Sequence, residues 1–263
     1  MLSFEADVIT RYQDRLRARA AGLLISLEGR LDRIMQAWLL FAGLACAARI
    51  AASPIRAPLD VGTFAPYLLL ILAPFASMVL ALRWFAQGQT LPQPQTRLAR
   101  LGRWRHVGLD AAQRHPLYGA GGIMVSLLIG ILLNVPIRAA EYLAAMPALS
   151  GPIPAWLSTL QMLMTIDVVV FASLYTIAFV AALRRVPLFP RLLAAIWIAD
   201  VAMQLVIAEM VAATPGLPAQ VGGALHALLD GNVTKVLISV GLWLPYLLLS
   251  RRVNVTYRHR VAS

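Results

Sequence analysis

Trp243-Leu244-Pro245-Tyr246-Leu247-Leu248-Leu249-Ser250-Arg251-Arg252-Val253-Asn254-Val255-Thr256-Tyr257 decides how the rest of the chain is read. An apolar run carrying Trp243 and Tyr246 stops at Ser250, and two arginines follow at once. Aromatic and basic residues gather where hydrocarbon gives way to lipid headgroups. The stretch therefore marks a membrane–water boundary and places the tail on the side that keeps positive charge.

The rest of the chain fits that boundary. Of 263 residues, 60% are hydrophobic and 13% charged, with a mean hydropathy of +0.73. A soluble domain has about a quarter of its residues charged. Here the charge is confined to a few blocks separated by apolar runs of about twenty residues, the length that crosses a bilayer as a helix. The net charge of +11 comes from basic residues lying beside those runs, so lipid headgroups rather than nucleic acid are the expected anionic partner. A single cysteine, Cys46, within an apolar run allows no intrachain disulfide and no thiolate metal cluster. The first 30 residues alternate charged and apolar positions without a separate apolar core, so the first span is expected to act as the insertion signal.

The expected fold is all-α: a polytopic membrane helix bundle with six transmembrane helices, an N-terminal amphipathic helix and a basic interfacial helix between spans two and three. Residues 1–33 form the amphipathic unit, with Phe4, Val8, Tyr12, Leu16, Leu23, Leu27 and Leu31 at three- and four-residue steps. A two-span unit (34–86) holds spans at 34–52 and 64–84, the second carrying Pro66 and Pro74. The connector 87–116 sets Leu98, Leu101, Trp104 and Val107 at helical spacing among Arg97, Arg100, Arg103 and Arg105, which gives a basic interfacial helix. A four-span domain (117–258) has spans at 117–136, 156–183, 192–213 and 232–250, and 259–263 is a tail. Gly119, Gly121 and Gly122 would let another helix approach the start of span three. Residues 219–230 read as a loop or surface helix.

With the N-terminus inside, nineteen of the 23 basic residues fall on the inner side, and only Arg49, Arg56, Arg138 and Lys235 on the outer. That asymmetry predicts both termini in the cytoplasm and a multi-pass protein of a bacterial inner membrane. Arg97, Arg100, Arg103, Arg105, Arg184, Arg185, Arg251 and Arg252, with Tyr257, are then the expected contacts to anionic headgroups.

Residues 118–258 resemble a bacterial membrane family known as domain-of-unknown-function family 2569. The likeness rests on Trp243, Pro245, Tyr246, Ser250, Arg252, Val253, Thr256 and Tyr257, and on Phe189-Pro190-Arg191 leading into span five. It implies a four-span unit and no particular chemistry.

Ionisable side chains within spans carry what chemical signal there is, because each costs roughly 2.5–3.5 kcal/mol at the bilayer centre. At about 1.5 Å per residue, Asp200 lies about 13 Å from the inner end of its span, near the midplane, with Gln204 one turn on. Asp167 and Glu209 lie about 25 and 27 Å in, and Lys235 about 22 Å, while Arg138 ends span three. Two readings of the outer group Arg138, Lys235, Asp167 and Glu209 stand open: ion pairs that lock spans together, or a polar cavity for an ion or small anion. Asp200, with no basic residue expected at its depth, is either a proton or cation site or a carboxyl hydrogen-bonded toward Gln204 and Asn134. His106, His115, His226 and His259 show no paired spacing within a span, so haem or zinc chemistry is not indicated. No catalytic residue, cofactor site or metal site is assigned. The sequence favours a non-enzymatic scaffold, accessory or regulatory subunit with a membrane-protein partner or a second copy of itself. The alternative is a small secondary transporter or channel with an acidic intramembrane site.

Overall fold

The computed structural model describes residues 18–54, 61–95 and 102–263. Six helices in it are long and apolar enough to cross a membrane: α1 (Leu31–Ala51), α2 (Val61–Trp84), α4 (Ile123–Ala145), α5 (Ala155–Leu183), α6 (Phe189–Ala212) and α7 (Ala219–Leu249). Between and after them lie a short helix α3 (Leu109–Gln113), a helix α8 (Arg251–Arg258) and two three-residue strands, β1 (Trp104–His106) and β2 (Arg260–Ala262). The architecture is an all-α polytopic membrane bundle. Hydrocarbon offers no hydrogen bonds, so each span must satisfy its own backbone, and an α-helix does so within one segment. Pro154, Pro190 and Pro218 stand at or just before the first turns of α5, α6 and α7, where their missing N–H costs nothing. Pro66, Pro74, Pro136 and Pro245 lie inside helices. In the turn disturbed by Pro74, the Ile71 carbonyl accepts the Trp38 indole N–H at 2.9 Å, so a partner helix supplies a bond to that turn.

Helix α5 is the centre, packed against α2, α4 and α6, with α1 outside α2 and α7 outside α6. Its run Ala178–Ala182 is wholly excluded from the surface. The outer helices face lipid with Leu40, Phe41 and Leu44 on α1 and Leu237, Ile238 and Leu242 on α7. Two apolar clusters make up the interior. One gathers Leu128, Phe171, Phe179, Phe189 and Trp197, the other Tyr142, Leu163, Val168, Ile207 and Leu229.

Several boundaries differ from those expected. The third span is shifted along the chain: residues 117–122 are not helical, Gly119 and Gly122 take positive φ (103° and 64°), and α4 continues nine residues past Pro136. Pro136 lies within the helix without ending it, as membrane helices tolerate. The glycines serve a loop, where their φ is needed, rather than a close helix–helix contact. Residues 219–230 continue directly into the last span as one helix of 31 residues. In place of a basic interfacial helix through 102–106 the chain is extended, because Trp104–His106 pair antiparallel with Arg260–Ala262 (Trp104 opposite Ala262). Arg97 and Arg100 lie outside the described residues. So do residues 1–17 of the amphipathic unit, of which 18–29 are helical and separated from α1 by a turn at Arg30.

The closing stretch folds back as a fastener. Ser250 is extended (φ −61°, ψ 126°), which ends α7 and lets α8 turn beneath the bundle. Tyr257, expected at the headgroups, is instead fully buried, because its ring fits beside Phe189 at 5.1 Å and its hydroxyl reaches the Ala182 carbonyl at 2.8 Å. That carbonyl is in the last turn of α5, where regular helical partners run out, and it also accepts the Arg185 N–H at 3.1 Å. Thr256 Oγ1 accepts the Gly119 N–H at 3.0 Å, and Arg252 Nη1 donates to the Gly119 carbonyl at 3.3 Å. Gly88 lets the segment after α2 join this base: a Cβ there would stand 2.8 Å from the Arg184 carbonyl oxygen.

Removing only the hydroxyl, in Tyr257→Phe, is expected to cost about 1 kcal/mol, and emptying the site, in Tyr257→Ala, about 3–5 kcal/mol. Thermal unfolding of both variants in detergent checks this, and equal losses would show that the Ala182 contact does not act separately from ring packing.

Candidate functional site

Along α4, α5, α6 and α7 the two apolar clusters are separated by one polar layer. On α4 it falls at Arg138, on α5 at Asp167, on α6 at Asp200 and Gln204, and on α7 at Asn232. Arg138 is its hub. Nη1 donates to Asp167 Oδ2 at 2.8 Å, while Nη2 donates to Asp200 Oδ1 and Oδ2 at 2.8 and 2.6 Å. Gln204 Nε2 donates to Asp167 Oδ1 at 2.9 Å and reaches Asp200 Oδ1 at 3.4 Å; the Tyr175 hydroxyl donates to Asp200 Oδ2 at 3.0 Å. All four carboxylate oxygens therefore accept from protein donors. The guanidinium also lies 5.1 Å from the centre of the Phe171 ring and 6.0 Å from that of Tyr175, which adds attraction from the faces of both rings. The Asp200 side chain has no exposure, Asp167 has 6% and Arg138 has 11%.

From this centre the polar chain runs outward. Asn232 Nδ2 donates to Gln204 Oε1 at 3.2 Å, and Asn232 Oδ1 accepts from Lys235 Nζ at 3.4 Å. Lys235 pairs with Glu141 one turn beyond Arg138. Two basic groups, Arg138 and Lys235, thus face three acids, Asp167, Asp200 and Glu141. With every group ionised the layer has one negative charge in excess.

Of the six residues expected at an intramembrane site, four meet here: Arg138, Asp167, Asp200 and Gln204. Asp200 is not without a basic partner. Counting rise from the ends of the spans overstated its separation from Asp167, since one guanidinium and one Gln204 amide reach both. Long helices tilt, so residues at unequal distances from a shared turn can be level. Lys235 joins the edge through Glu141, whereas Glu209 is exposed and outside the layer. Asn134 stands one turn before Arg138, and its buried carbonyl oxygen makes no hydrogen bond to either aspartate. Glu141, Phe171, Tyr175 and Asn232 were not anticipated. Phe171 and Tyr175 follow Asp167 by four and eight residues, a one-face spacing that would have pointed to them.

The space at the layer is small: a cleft of about 10 Å³ beside Arg138, Glu141, Asp167 and Asn232, about the size of one water. A much larger groove of about 410 Å³ between α1, α2 and α4 is lined by groups such as Trp38, Phe41, Pro74, Phe75 and Pro136 and carries no ionisable side chain. Among the described residues no three His, Cys, Asp or Glu side chains are placed to hold a metal ion.

The arginines expected at headgroups divide in two. Arg103, Arg105, Arg184 and Arg251 are exposed. Arg185 is half-buried, 3.8 Å from Glu28 and over the Tyr118 ring at 5.7 Å, and Arg252 is held on the Gly119 loop. Comparison of the chain with protein-family models, curated proteins and solved structures finds no match.

The excess negative charge orders the cost of substitutions here. Arg138→Gln leaves two buried carboxylates facing each other and is expected to cost about 3–5 kcal/mol. Asp167→Asn leaves a one-to-one Arg138–Asp200 pair and is expected to cost about 1–2 kcal/mol. Tryptophan fluorescence through thermal unfolding in detergent would rank the two, and a reversed order would contradict the charge count.

Proposed function

We propose that the chain is a non-enzymatic scaffold, accessory or regulatory subunit of a bacterial inner membrane, with both termini in the cytoplasm. The observation that carries this reading is the closure of its ionisable centre. Every carboxylate oxygen of Asp167 and Asp200 accepts from a protein donor, and the adjoining cleft of about 10 Å³ has no room for a substrate. A charge layer of this kind fixes the register of four spans, a role attested for buried polar groups in other helix bundles. Apolar faces on α1 and α7 suit a membrane-protein partner or a second copy. Arg184 and Arg251, at the end of the bundle assigned to the cytoplasm by the nineteen-to-four distribution of basic residues, suit anionic headgroups. Membership of the four-span family that the closing motif resembles is part of the proposal and adds no chemistry to it.

One observation favours a second reading, a small proton-coupled transporter. The chain from Lys235 and Glu141 through Asn232 and Gln204 joins the edge of the bundle to Asp200, and its surplus acid can hold an exchangeable proton. Purified protein in liposomes separates the two. The scaffold reading expects no proton flux above empty vesicles and a stable partner or self-assembly on gentle purification. Proton flux abolished by Asp200→Asn would replace it with transport. A reporter fused after Ser263 is expected to be active only on the cytoplasmic side.

A further inference from the structure

Helices α2 and α4 both pack on α5, and α1 touches each of them from outside. The groove of about 410 Å³ runs between α1, α2 and α4, with Thr176 of α5 also in its wall. It follows α1 from Ile34 to Ala45 and α4 from Leu132 to Leu143, about 16 Å of rise along each. It is therefore a slot laid along the helices. Its floor is closed, since Leu70 has no exposure and Thr176 has 3%, while its lips are open at Phe41 (68%) and Leu133 (50%). The slot is entered sideways, from the hydrocarbon of the bilayer. Among the described residues that line it, only Trp38 and Thr176 carry a side-chain nitrogen or oxygen. Both donors are spent: the Trp38 N–H goes to the Ile71 carbonyl at 2.9 Å and the Thr176 hydroxyl to the Ala172 carbonyl at 2.7 Å. Pro74 and Pro136, also in the wall, have no backbone N–H to offer.

We propose that this slot holds one acyl chain of a membrane phospholipid, whose headgroup stays at the membrane surface. The length fits: a hydrocarbon core about 30 Å thick gives each leaflet about 15 Å, the reach of a chain entering from one side. The chemistry fits as well. Water needs two or more polar partners and finds none here. A charged headgroup would meet no ionisable side chain, and a ring bearing carbonyls would meet no free side-chain donor. Methylene groups need only close contact, which the floor supplies atom by atom. A chain seated between α1 and the pair α2 and α4 would also hold the outermost helix to the bundle, supplementing the Trp38 bond. This inference rests on the membrane bundle alone and is independent of both the scaffold and the transport readings.

The test places the full chain in vesicles of phosphatidylcholine that carries a photoreactive diazirine midway along one acyl chain. Illumination is expected to label Leu70 and Met78, which are 0% and 5% exposed and which lipid reaches through the slot. Labelling that marks Leu237 and Leu242 on the outer face of α7 but spares Leu70 and Met78 overturns the proposal. Native mass spectrometry after stepwise washing in detergent supplies the second measurement. One phospholipid is expected to remain on the wild type. Ala45→Phe and Ala140→Phe, which place a ring in the slot from its exposed lips, are expected to cut that occupancy about tenfold. Leu242→Phe on α7 is expected to leave it unchanged. Equal retention by the slot-filling variants overturns the proposal, as does a polycyclic lipid or a second protein chain retained in place of the phospholipid. The labelling is read on the wild type, so it decides the matter even where a variant fails to fold.

Discussion

A guanidinium inside a membrane bundle must be surrounded by acceptors, and Arg138 recruits them from two other helices at once. Asp167 on α5 and Asp200 on α6 each take one arm, and Gln204 and Tyr175 complete the carboxylates. Lipid tails are as apolar as leucine, so spans gain little from burying apolar side chains against each other; packing and interhelical hydrogen bonds have to set their arrangement. A residue with five fixed donors specifies both height and rotation, which a leucine seam does not. The apolar clusters on either side can then be permissive in detail.

The six spans were legible because hydropathy and length suffice when the solvent is hydrocarbon. Their ends were less so. Pro136 reads as the end of a helix and the Gly119–Gly122 run as part of one, yet the helix runs nine residues past Pro136 and starts only after Gly122, since proline is tolerated in membrane helices and glycine is used where the loop needs positive φ. The nine residues of α4 beyond Pro136 turn Arg138 from an interfacial residue into the hub of the interior. The pairing of Arg138 with Asp200 was hidden for the same reason: depth measured along each helix says nothing of tilt or of the reach of an arginine side chain. Lys235 finds its partner in Glu141, on the part of α4 beyond Pro136.

At the other end of the bundle, the sequence disclosed a turn and concealed what the turn accomplishes. Ser250 ends α7 as expected, yet Tyr257 and Thr256 go to backbone groups of α5 and of the loop before α4 rather than to headgroups. Short-range pattern cannot show this. The partner of Tyr257 is 75 residues away, and the strand pairing of Trp104 with Ala262 joins residues farther apart still. A three-residue strand has no periodicity to detect.

The Tyr257–Ala182 bond also bears on how the molecule is made. Ala182 lies in the last turn of the most enclosed helix, and the Tyr257 hydroxyl that joins the Arg185 N–H (3.1 Å) on its carbonyl is synthesised after two further spans have been laid down. Membrane insertion of α5 and completion of its lower end are therefore separate events in time. Until α8 arrives, the base of the bundle stands open to water even with every span in place. A protease acting on that side of the membrane would thus find its target in chains whose spans are correct and whose α8 has not yet docked.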